Sequence, residues 1–168
     1  LQQFGLELHA TKTRLIEFGW FAEERRAKRG EGKPETFEFL GFTHICGRSR
    51  RNGRVLLQRR TSAKRLRAKI KEIRQQLLWH RHKPILEQAR WLRQVTQGYY
   101  RYHAIPGNLM MLRSLRREVA RAWMHALRRR GQKAGRVNWA WLKQLMHDWI
   151  PYATVMHPYP DQRLHVAT

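Results

Sequence analysis

The chain has 168 residues and carries 35 lysines and arginines against 12 aspartates and glutamates, a formal net charge of +23. This excess favours a polyanionic partner, above all nucleic acid, over a free-standing metabolic enzyme. The 42% of apolar residues excludes a purely disordered basic tail, and the single cysteine excludes an internal disulfide framework.

The first residues of the sequence and its hydropathy bear on whether the chain is secreted or spans a membrane. The first residues, LQQFGLELHATKTRL, contain neither an initiator Met nor a secretory signal, so we expect the chain to continue a longer protein. No run of about 18 apolar residues is present, and we expect no membrane span.

The first 61 residues predict short β-strands. LELH, TRLIEF, TFEFLGFTHI and RVLLQRR are β-like runs separated by glycine, proline and polar clusters. Asn52 and Gly53 supply the positive φ of a tight turn, which predicts a hairpin between the last two runs. Gly41 interrupts the alternation of the surrounding phenylalanines. It predicts a bulge or a close approach of another backbone, such as a nucleic-acid strand.

The rest of the chain predicts helices. Ser62 is placed to cap a first helix, Pro84 to open a second and Asn108 to cap a third, and a shorter fourth helix is predicted over Asn138–Trp149. Apolar residues at helical spacing predict the buried stripes, which are Leu66, Ile70, Ile73 and Leu77 in the first helix, Leu92, Val95, Tyr99 and Tyr102 in the second, and Leu112, Leu115, Val119, Trp123, Ala126 and Leu127 in the third. The predicted fold class is α+β, a small antiparallel β segment (1–61) followed by an α-helical bundle with an extended tail (62–168).

The two parts differ in charge. Residues 1–61 carry 13 basic and 7 acidic side chains, a net +6, whereas residues 62–168 carry 22 and 5, a net +17. Between Arg59 and Lys83 ten basic residues accompany Glu72 alone, so the signs do not alternate as on a merely solvated helix face. Like charges at helical spacing repel, and phosphates relieve that repulsion. We therefore expect RNA or DNA binding.

Catalytic and metal-site motifs are weak. The chain has two aspartates, Asp148 and Asp161, and no cluster of carboxylates of the kind that two-metal phosphoryl transfer needs. The candidate zinc ligands form two pairs without the spacing of a closed site, and we expect no metal there: His44 with Cys46, and His80 with His82.

Aromatic side chains suit either base stacking or core packing. Tyr99 and Tyr102 lie on a predicted apolar stripe, so core packing is the better interpretation for both. Tyr100 and His103 lie off that stripe and are candidates for stacking on unpaired bases. The tryptophans are expected in the core or between helices: Trp91, Trp123, Trp139, Trp141 and Trp149.

Three stretches of the sequence resemble one protein family: FGLELHATKTRLIEFG, GKPETFEFLGFTHICGRS and WLRQVTQGYYRYHAIPGN. In this order they are similar to the C-terminal part of bacterial group II intron reverse transcriptases and maturases, along essentially the whole chain. The resemblance implies that LELHATKT ends the polymerase palm (motif D) and that FEFLGF is the primer grip (motif E). It implies that residues from about 62 onward form the helical thumb, or maturase domain.

The resemblance also implies roles for particular residues. Lys12 matches the motif D lysine, which assists the departing pyrophosphate, and would act only in a full-length parent; a plain turn residue is the alternative. Leu40, Gly41 and Phe42 match the primer grip, where glycine lets the backbone approach the end of the nascent strand; an ordinary bulged strand is the alternative. Candidate contacts to intron RNA or template–primer, chosen by face and charge, are Lys64, Arg65, Arg67, Lys69, Lys71, Arg113, Arg116 and Arg117.

The departures from the family pattern limit the expected activity. The Ala-Asp-Asp metal motif, the fingers and the cysteine pairs of an HNH endonuclease are absent from this sequence. We therefore expect no polymerase activity and no cofactor in this chain, with Mg²⁺ belonging to a full-length parent. The expected partners are group II intron RNA and an RNA template–DNA primer duplex, in the bacterial cytoplasm with the nucleoid or ribonucleoprotein. The alternative is a truncated remnant that acts as a generic basic RNA-binding protein.

Overall fold

The fold is α+β, as the sequence predicts. The computed structural model describes residues 5, 9, 13–49, 52–131 and 137–158, and within them it contains a three-stranded antiparallel sheet and five helices. The elements in chain order are α1 (Ala22–Lys28), β1 (Phe37–Phe39), β2 (Phe42–Arg48), β3 (Val55–Thr61), α2 (Ala63–Trp79), α3 (Ile85–His103), α4 (Leu109–Arg128) and α5 (Trp139–Trp149). The strands are ordered β1-β2-β3 in the sheet. None of the helices in the described ranges is long and apolar enough to cross a membrane.

The chain divides into two compact units, and each contains residues of the sheet. One comprises Leu1–Phe37 and His44–Gln58, and the other comprises Glu38–Thr43 and Arg59–Thr168. Residues 38–43 and 59–61, which the sequence assigns to the palm-like segment, thus pack with the helices. The second unit is called the helical unit below.

The first unit departs from the sequence prediction at its start. The predicted strand TRLIEF is wrong, because residues 13–18 have no regular structure and Leu15 is fully exposed. Side chains hold this segment instead of strand pairing: Phe18 packs edge-on against Phe37, with ring centroids 4.9 Å apart, and Glu17 pairs with Arg29. Most of the predicted strand LELH lies outside the described residues.

Helix α1 was not predicted, although its charges favour it. Glu23 and Glu24 lie in its first turn, and Arg25, Arg26 and Lys28 lie in its last. This order places negative charge at the positive end of the helix dipole and positive charge at the negative end.

The predicted hairpin is confirmed. Strands β2 and β3 are neighbours, and residues 49–54 connect them. Gly53 adopts φ 66°, and the Ser49 amide donates to the Arg54 carbonyl over 2.8 Å. The connection is therefore longer than the two-residue turn that Asn52 and Gly53 suggest.

The helical unit holds the main core. The predicted stripes of α2 and α4 are confirmed, since their members are buried or packed against the core. The predicted stripe of α3 is confirmed for Leu92, Val95 and Tyr99 and is wrong for Tyr102, which is 48% exposed. The buried residues of α3 are Gln88, Ala89, Leu92, Thr96, Tyr100 and His103. Thr96 tolerates burial because its hydroxyl donates to the Leu92 carbonyl over 2.7 Å.

Polar side chains fix the helix ends. The Gln88 amide donates to the carbonyls of His80, Arg81 and Lys83, which lie between α2 and α3. Its oxygen accepts the indole N–H of the buried Trp123 over 3.0 Å, which ties α3 to α4. Asn138 caps α5 by accepting from the Trp141 amide. Ser62 and Asn108 occupy the N-cap positions of α2 and α4, but neither side chain caps its helix.

Candidate nucleic-acid interface

Helix α2 presents two rows of cations. Its apolar stripe faces the core, so the remaining faces carry the basic residues. Lys64, Arg67 and Lys71 follow each other at spacings of three and four, share one face and are exposed. We call these three the α2 row. Arg65 and Lys69 form a second row, which points toward α3.

The α2 row is not neutralised by carboxylates. Among the described residues, no acidic side chain forms an ion pair with Lys64, Arg67 or Lys71. Lys69 differs, since it pairs with Glu72 over 2.8 Å. Arg74 differs as well, since it pairs over 2.7 Å with a glutamate on α4. The N-terminal part of α2 therefore carries the uncompensated charge.

A groove of about 540 Å³ runs between α2 and α3. Its lining is basic and aromatic and comprises Arg65, Lys69, Gln94, Val95, Gly98, Tyr99, Tyr102 and His103. The Arg65 side chain also lies over Gly41, where a Cβ would be 2.9 Å from the Arg65 Cδ. The groove places Arg65 and Lys69, two of the predicted contacts, beside an aromatic wall of Tyr99, Tyr102 and His103. Of these three, only His103 was a predicted site residue.

Two of the three tyrosines on α3, Tyr100 and Tyr102, differ from the sequence prediction, whereas Tyr99 packs against the core as predicted. Tyr100 is fully buried, and burial raises its pKa to about 12. Tyr102 is the exposed ring, with 48% of its surface accessible. A base cannot stack on Tyr100 while it fills the core. The stacking prediction for Tyr100 is therefore wrong, and Tyr102 takes its place on the surface.

His103 is buried as well, inside a cluster of rings. It stacks on Tyr99 with centroids 4.0 Å apart, and Phe42 and Tyr102 lie at 5.3 and 4.8 Å. Its Nδ1–H donates to the Tyr99 carbonyl over 3.1 Å. Burial lowers the pKa of His103, and the nearby Arg65 charge lowers it further. The predicted role in base stacking is wrong here also, because neighbouring rings cover His103.

Of the three residues matched to the primer grip, Leu40 and Gly41 form a tight turn and not a bulge, and Phe42 begins β2. Leu40 and Gly41 both have positive φ, 49° and 82°, as the two central residues of a primed hairpin turn do. The Leu40 carbonyl accepts the Tyr102 hydroxyl over 2.7 Å, and the Gly41 carbonyl accepts the Ser62 amide over 2.9 Å. Leu40 is exposed at the tip, whereas Phe42 is buried. The turn is thus fastened to α2 and α3.

A second groove, of about 820 Å³, runs between α4 and α5 and continues to Tyr152. Arg113, Arg116 and Arg117 of the predicted set line it. The other polar and aromatic residues that line this groove were not predicted as site residues: Trp139, Lys143, Gln144, His147 and Tyr152. The signal that was available is the run Trp-Ala-Trp-Leu-Lys at the start of α5, which places aromatic and basic residues together.

The three arginines of this groove differ in their surroundings. Arg116 is half-buried and donates to the carbonyls of Met146 and Ile150, and its guanidinium lies 4.0 Å from the centre of the Tyr152 ring. Arg113 and Arg117 are exposed, and no acidic side chain of the described residues pairs with them. Arg116 is therefore a structural residue, and Arg113 and Arg117 present the free charge.

The remaining predicted residues are Lys12 and the pair of His44 with Cys46. Lys12 lies outside the described residues. His44 stacks on Phe37 with centroids 4.7 Å apart, and the Cys46 thiol contacts the Gly19 backbone. In the part of the chain that the structure covers, no three His, Cys, Asp or Glu side chains converge on one point.

Comparison with protein families, curated proteins and solved structures finds no match to this chain.

Proposed function

We propose that this chain is the RNA-binding C-terminal portion of a bacterial group II intron reverse transcriptase and maturase. In this proposal it holds intron RNA in its splicing-competent fold and clamps the template–primer duplex. Polymerase chemistry and its Mg²⁺ belong to the full-length parent, with Lys12 acting only there. The family assignment comes from the sequence resemblance, whereas the RNA-binding part rests on the surface of the helical unit.

The observation that carries the proposal is the contrast between paired and unpaired cations. In the first unit Arg14, Lys28 and Arg48 pair with glutamates over 3.2, 2.8 and 2.9 Å. In the helical unit the α2 row has no such partner among the described residues. Exposed, unpaired cations attract the phosphates of nucleic acid, and binding releases the counterions that are condensed on those phosphates. The unpaired charge of the α2 row is a local feature of the helical unit, and this supports a localised binding surface.

The shape of the helical unit supports contact with nucleic acid in addition to charge. The α2–α3 groove adjoins the α2 row and has the exposed Tyr102 on its wall. Phosphate contacts position a nucleic acid, and aromatic faces engage its unpaired bases. The turn at Leu40 and Gly41 is fastened beside the same groove through Tyr102 and Ser62. This arrangement suits a primer grip that is held in register with the thumb helices.

A charge-matched pair of variants tests the proposal. Replacing Lys64, Arg67 and Lys71 with Gln removes three unpaired charges, and replacing Arg14, Lys28 and Arg48 with Gln removes three paired ones. We expect the first variant to lower the slope of log K against log salt by about 2 for an intron RNA fragment, and the second to leave it unchanged. Equal slopes for the two variants would contradict a localised interface.

The rival function is a generic basic RNA-binding protein, and competition separates the two. Binding of intron RNA by a maturase should survive an excess of unrelated RNA of equal length at moderate salt, because part of the affinity comes from shape and base contacts. A generic polycation should be displaced, because its affinity comes from phosphates alone. Displacement at moderate salt would favour the remnant over the maturase.

A further inference from the structure

The α4–α5 groove differs from the α2 row in having aromatic side chains along with charge. Its floor is apolar and is formed by Ala120, Leu142 and Met146. Arg113, Arg117 and Lys143 line it, and none of the three pairs with a carboxylate among the described residues. Asp148 on α5 contacts His147 over 3.3 Å. The groove thus combines a cationic rim with an apolar base.

Two contacts show that α4 and α5 run antiparallel along this groove. Arg116, in the first half of α4, donates to the Ile150 carbonyl, just after α5. Arg128, at the end of α4, donates to the Val137 carbonyl, just before α5. Arg113 therefore lies toward the Tyr152 end of the groove, and Trp139 lies at the opposite end. The α5 residues that line the groove run from Trp139 to His147, about 12 Å of helix axis, and the Tyr152 ring lies 6.3 Å from the His147 ring.

Arg116 prepares Tyr152 for a planar ligand. Its guanidinium covers one face of the Tyr152 ring at 4.0 Å, and its N–H groups are held by the Met146 and Ile150 carbonyls. Tyr152 nevertheless remains 62% exposed, which leaves ring surface available to solvent. Trp139, at the other end, is 46% exposed. Both rings are amphipathic side chains that present stacking surface without extensive burial.

We infer that the α4–α5 groove binds a short single-stranded RNA segment, with bases stacked on Tyr152 and Trp139 and the phosphates between them on Arg113, Arg117 and Lys143. Single-strand sites combine a basic track with aromatic platforms. In a duplex the bases are stacked on each other and are not offered to side chains. The groove therefore discriminates unpaired from paired RNA, while the α2 row contacts phosphates of either.

This inference rests on the proposed RNA-binding function, so the experiment uses two probes. One is a fluorescein-labelled ten-nucleotide RNA without self-pairing, and the other is an RNA hairpin with a fully paired stem. Both are titrated against the full chain and against Trp139→Ala and Tyr152→Leu. Trp79→Ala is the matched control, because Trp79 is 78% exposed and lies outside the groove lining.

We expect each groove variant to weaken binding of the single strand about tenfold and to leave hairpin binding unchanged. The control should bind both probes like the parent chain. In the unaltered chain, a 4-thiouridine in the single strand should crosslink to Trp139 or Tyr152, and this readout does not depend on how any variant folds.

The contrary outcomes are distinct. Equal losses for both probes, or no loss for either, together with crosslinks that map outside the groove, would overturn the inference and would leave the groove to a different occupant such as an acidic peptide. If the unaltered chain binds neither the hairpin nor the single strand, the proposed function itself is overturned. If both groove variants still bind the hairpin and also keep the parent affinity for the single strand, only the groove assignment is overturned.

Discussion

Asn108 and Thr61 form a reciprocal, fully buried hydrogen-bonded pair between the end of β3 and the start of α4. The Thr61 amide donates to the Asn108 Oδ1 over 2.9 Å, and the Asn108 Nδ2 donates to the Thr61 Oγ1 over 2.7 Å. The same Nδ2 donates to the His103 carbonyl over 2.8 Å. Asn108 is 0% exposed, so these bonds replace water entirely. One side chain thereby joins the sheet to two helices of the helical unit.

Replacing Asn108 with Ala is expected to lower the free energy of unfolding by about 3 kcal/mol. The substitution leaves the Thr61 amide and hydroxyl buried without Asn108 as a partner, and each carries a desolvation cost, whereas the His103 carbonyl still accepts from the Ile105 amide. Asn138→Ala is the matched control: it removes an exposed N-cap and should cost about 1 kcal/mol. Urea unfolding followed by circular dichroism measures both. A cost for Asn108→Ala no larger than that of the control would contradict the assigned role.

This pair also shows where sequence reasoning stops. Asn108 and Asn138 both precede helices, and local patterns identify both as N-caps. Only Asn138 caps by its side chain, because Asn108 is recruited by Thr61, 47 positions away in the chain. Ser62 shows the same behaviour, since its hydroxyl donates to Glu38 over 2.7 Å. Helix starts were thus predictable from local residue types, whereas the tertiary partners of those residues were not.

A second prediction concerns Gly41 and its neighbour Arg65. Gly41→Ala places a Cβ 2.9 Å from the Arg65 Cδ, in a residue whose φ is 82°. Gly53→Ala is the matched control, with φ 66° and no atom within 4 Å of the new Cβ. We expect both variants to lose about 1 kcal/mol of stability from the backbone alone. The Arg65 side chain is flexible and moves aside, so the additional stability cost at Gly41 should be small.

The distinguishing effect of Gly41→Ala is on binding. Displacing Arg65 removes a cation from the α2–α3 groove, so we expect hairpin RNA affinity to fall in Gly41→Ala and to stay unchanged in Gly53→Ala. Fluorescence anisotropy at fixed salt measures the difference. Equal affinities for the two variants would show that the Arg65 position beside Gly41 is irrelevant to binding.

A third prediction follows from the lowered pKa of His103. In the unfolded chain this histidine titrates near 6.5, and burial lowers its pKa in the fold. The unfolded state therefore binds more protons, so the stabilising contribution is present above pH 6.5 and is lost as the pH falls through the folded value. The ring is surrounded by Tyr99, Phe42 and Tyr102, with Arg65 as the neighbouring charge.

Chemical unfolding at a series of pH values between 7 and 5 tests this linkage. We expect His103→Phe to flatten the decline in the free energy of unfolding below about pH 6.5, since phenylalanine keeps the ring contacts and does not titrate. His82→Gln, at an exposed site, is the control and should keep the parent slope. A parent-like slope in His103→Phe would place the pH dependence elsewhere.

The candidate site was predictable in part, for a physical reason. Charge and helical spacing identified Lys64, Arg67 and Lys71, because exposed cations need no partner to remain on the surface. The assignment of Tyr100 and Tyr102 failed, because the true stripe of α3 contains the polar Thr96 and is therefore hidden from an apolar pattern. The fully buried face of α3 runs through Leu92, Thr96 and Tyr100, so Tyr100 lies in the core and Tyr102 lies at the surface.

The last prediction separates two arginines that the sequence treats alike. Arg116 donates to carbonyls at the end of α5 and stacks on Tyr152, so Arg116→Gln should lower the free energy of unfolding by about 2 kcal/mol. Arg113 is exposed and lacks an acidic partner in the described residues, so Arg113→Gln should change stability by less than about 0.5 kcal/mol.

The binding results should rank the same two variants differently. Arg113→Gln removes a phosphate contact and should lower the salt slope for single-stranded RNA by about 0.7 while the fold stays intact. Arg116→Gln should weaken the single strand through the loss of Tyr152 positioning, and its deficit should persist at high salt, where phosphate contacts are screened. Two results together would contradict these assignments: a salt-independent loss of affinity in Arg113→Gln, and unaltered stability and affinity in Arg116→Gln. They would show that Arg113, and not the Arg116 guanidinium on Tyr152, supports the groove.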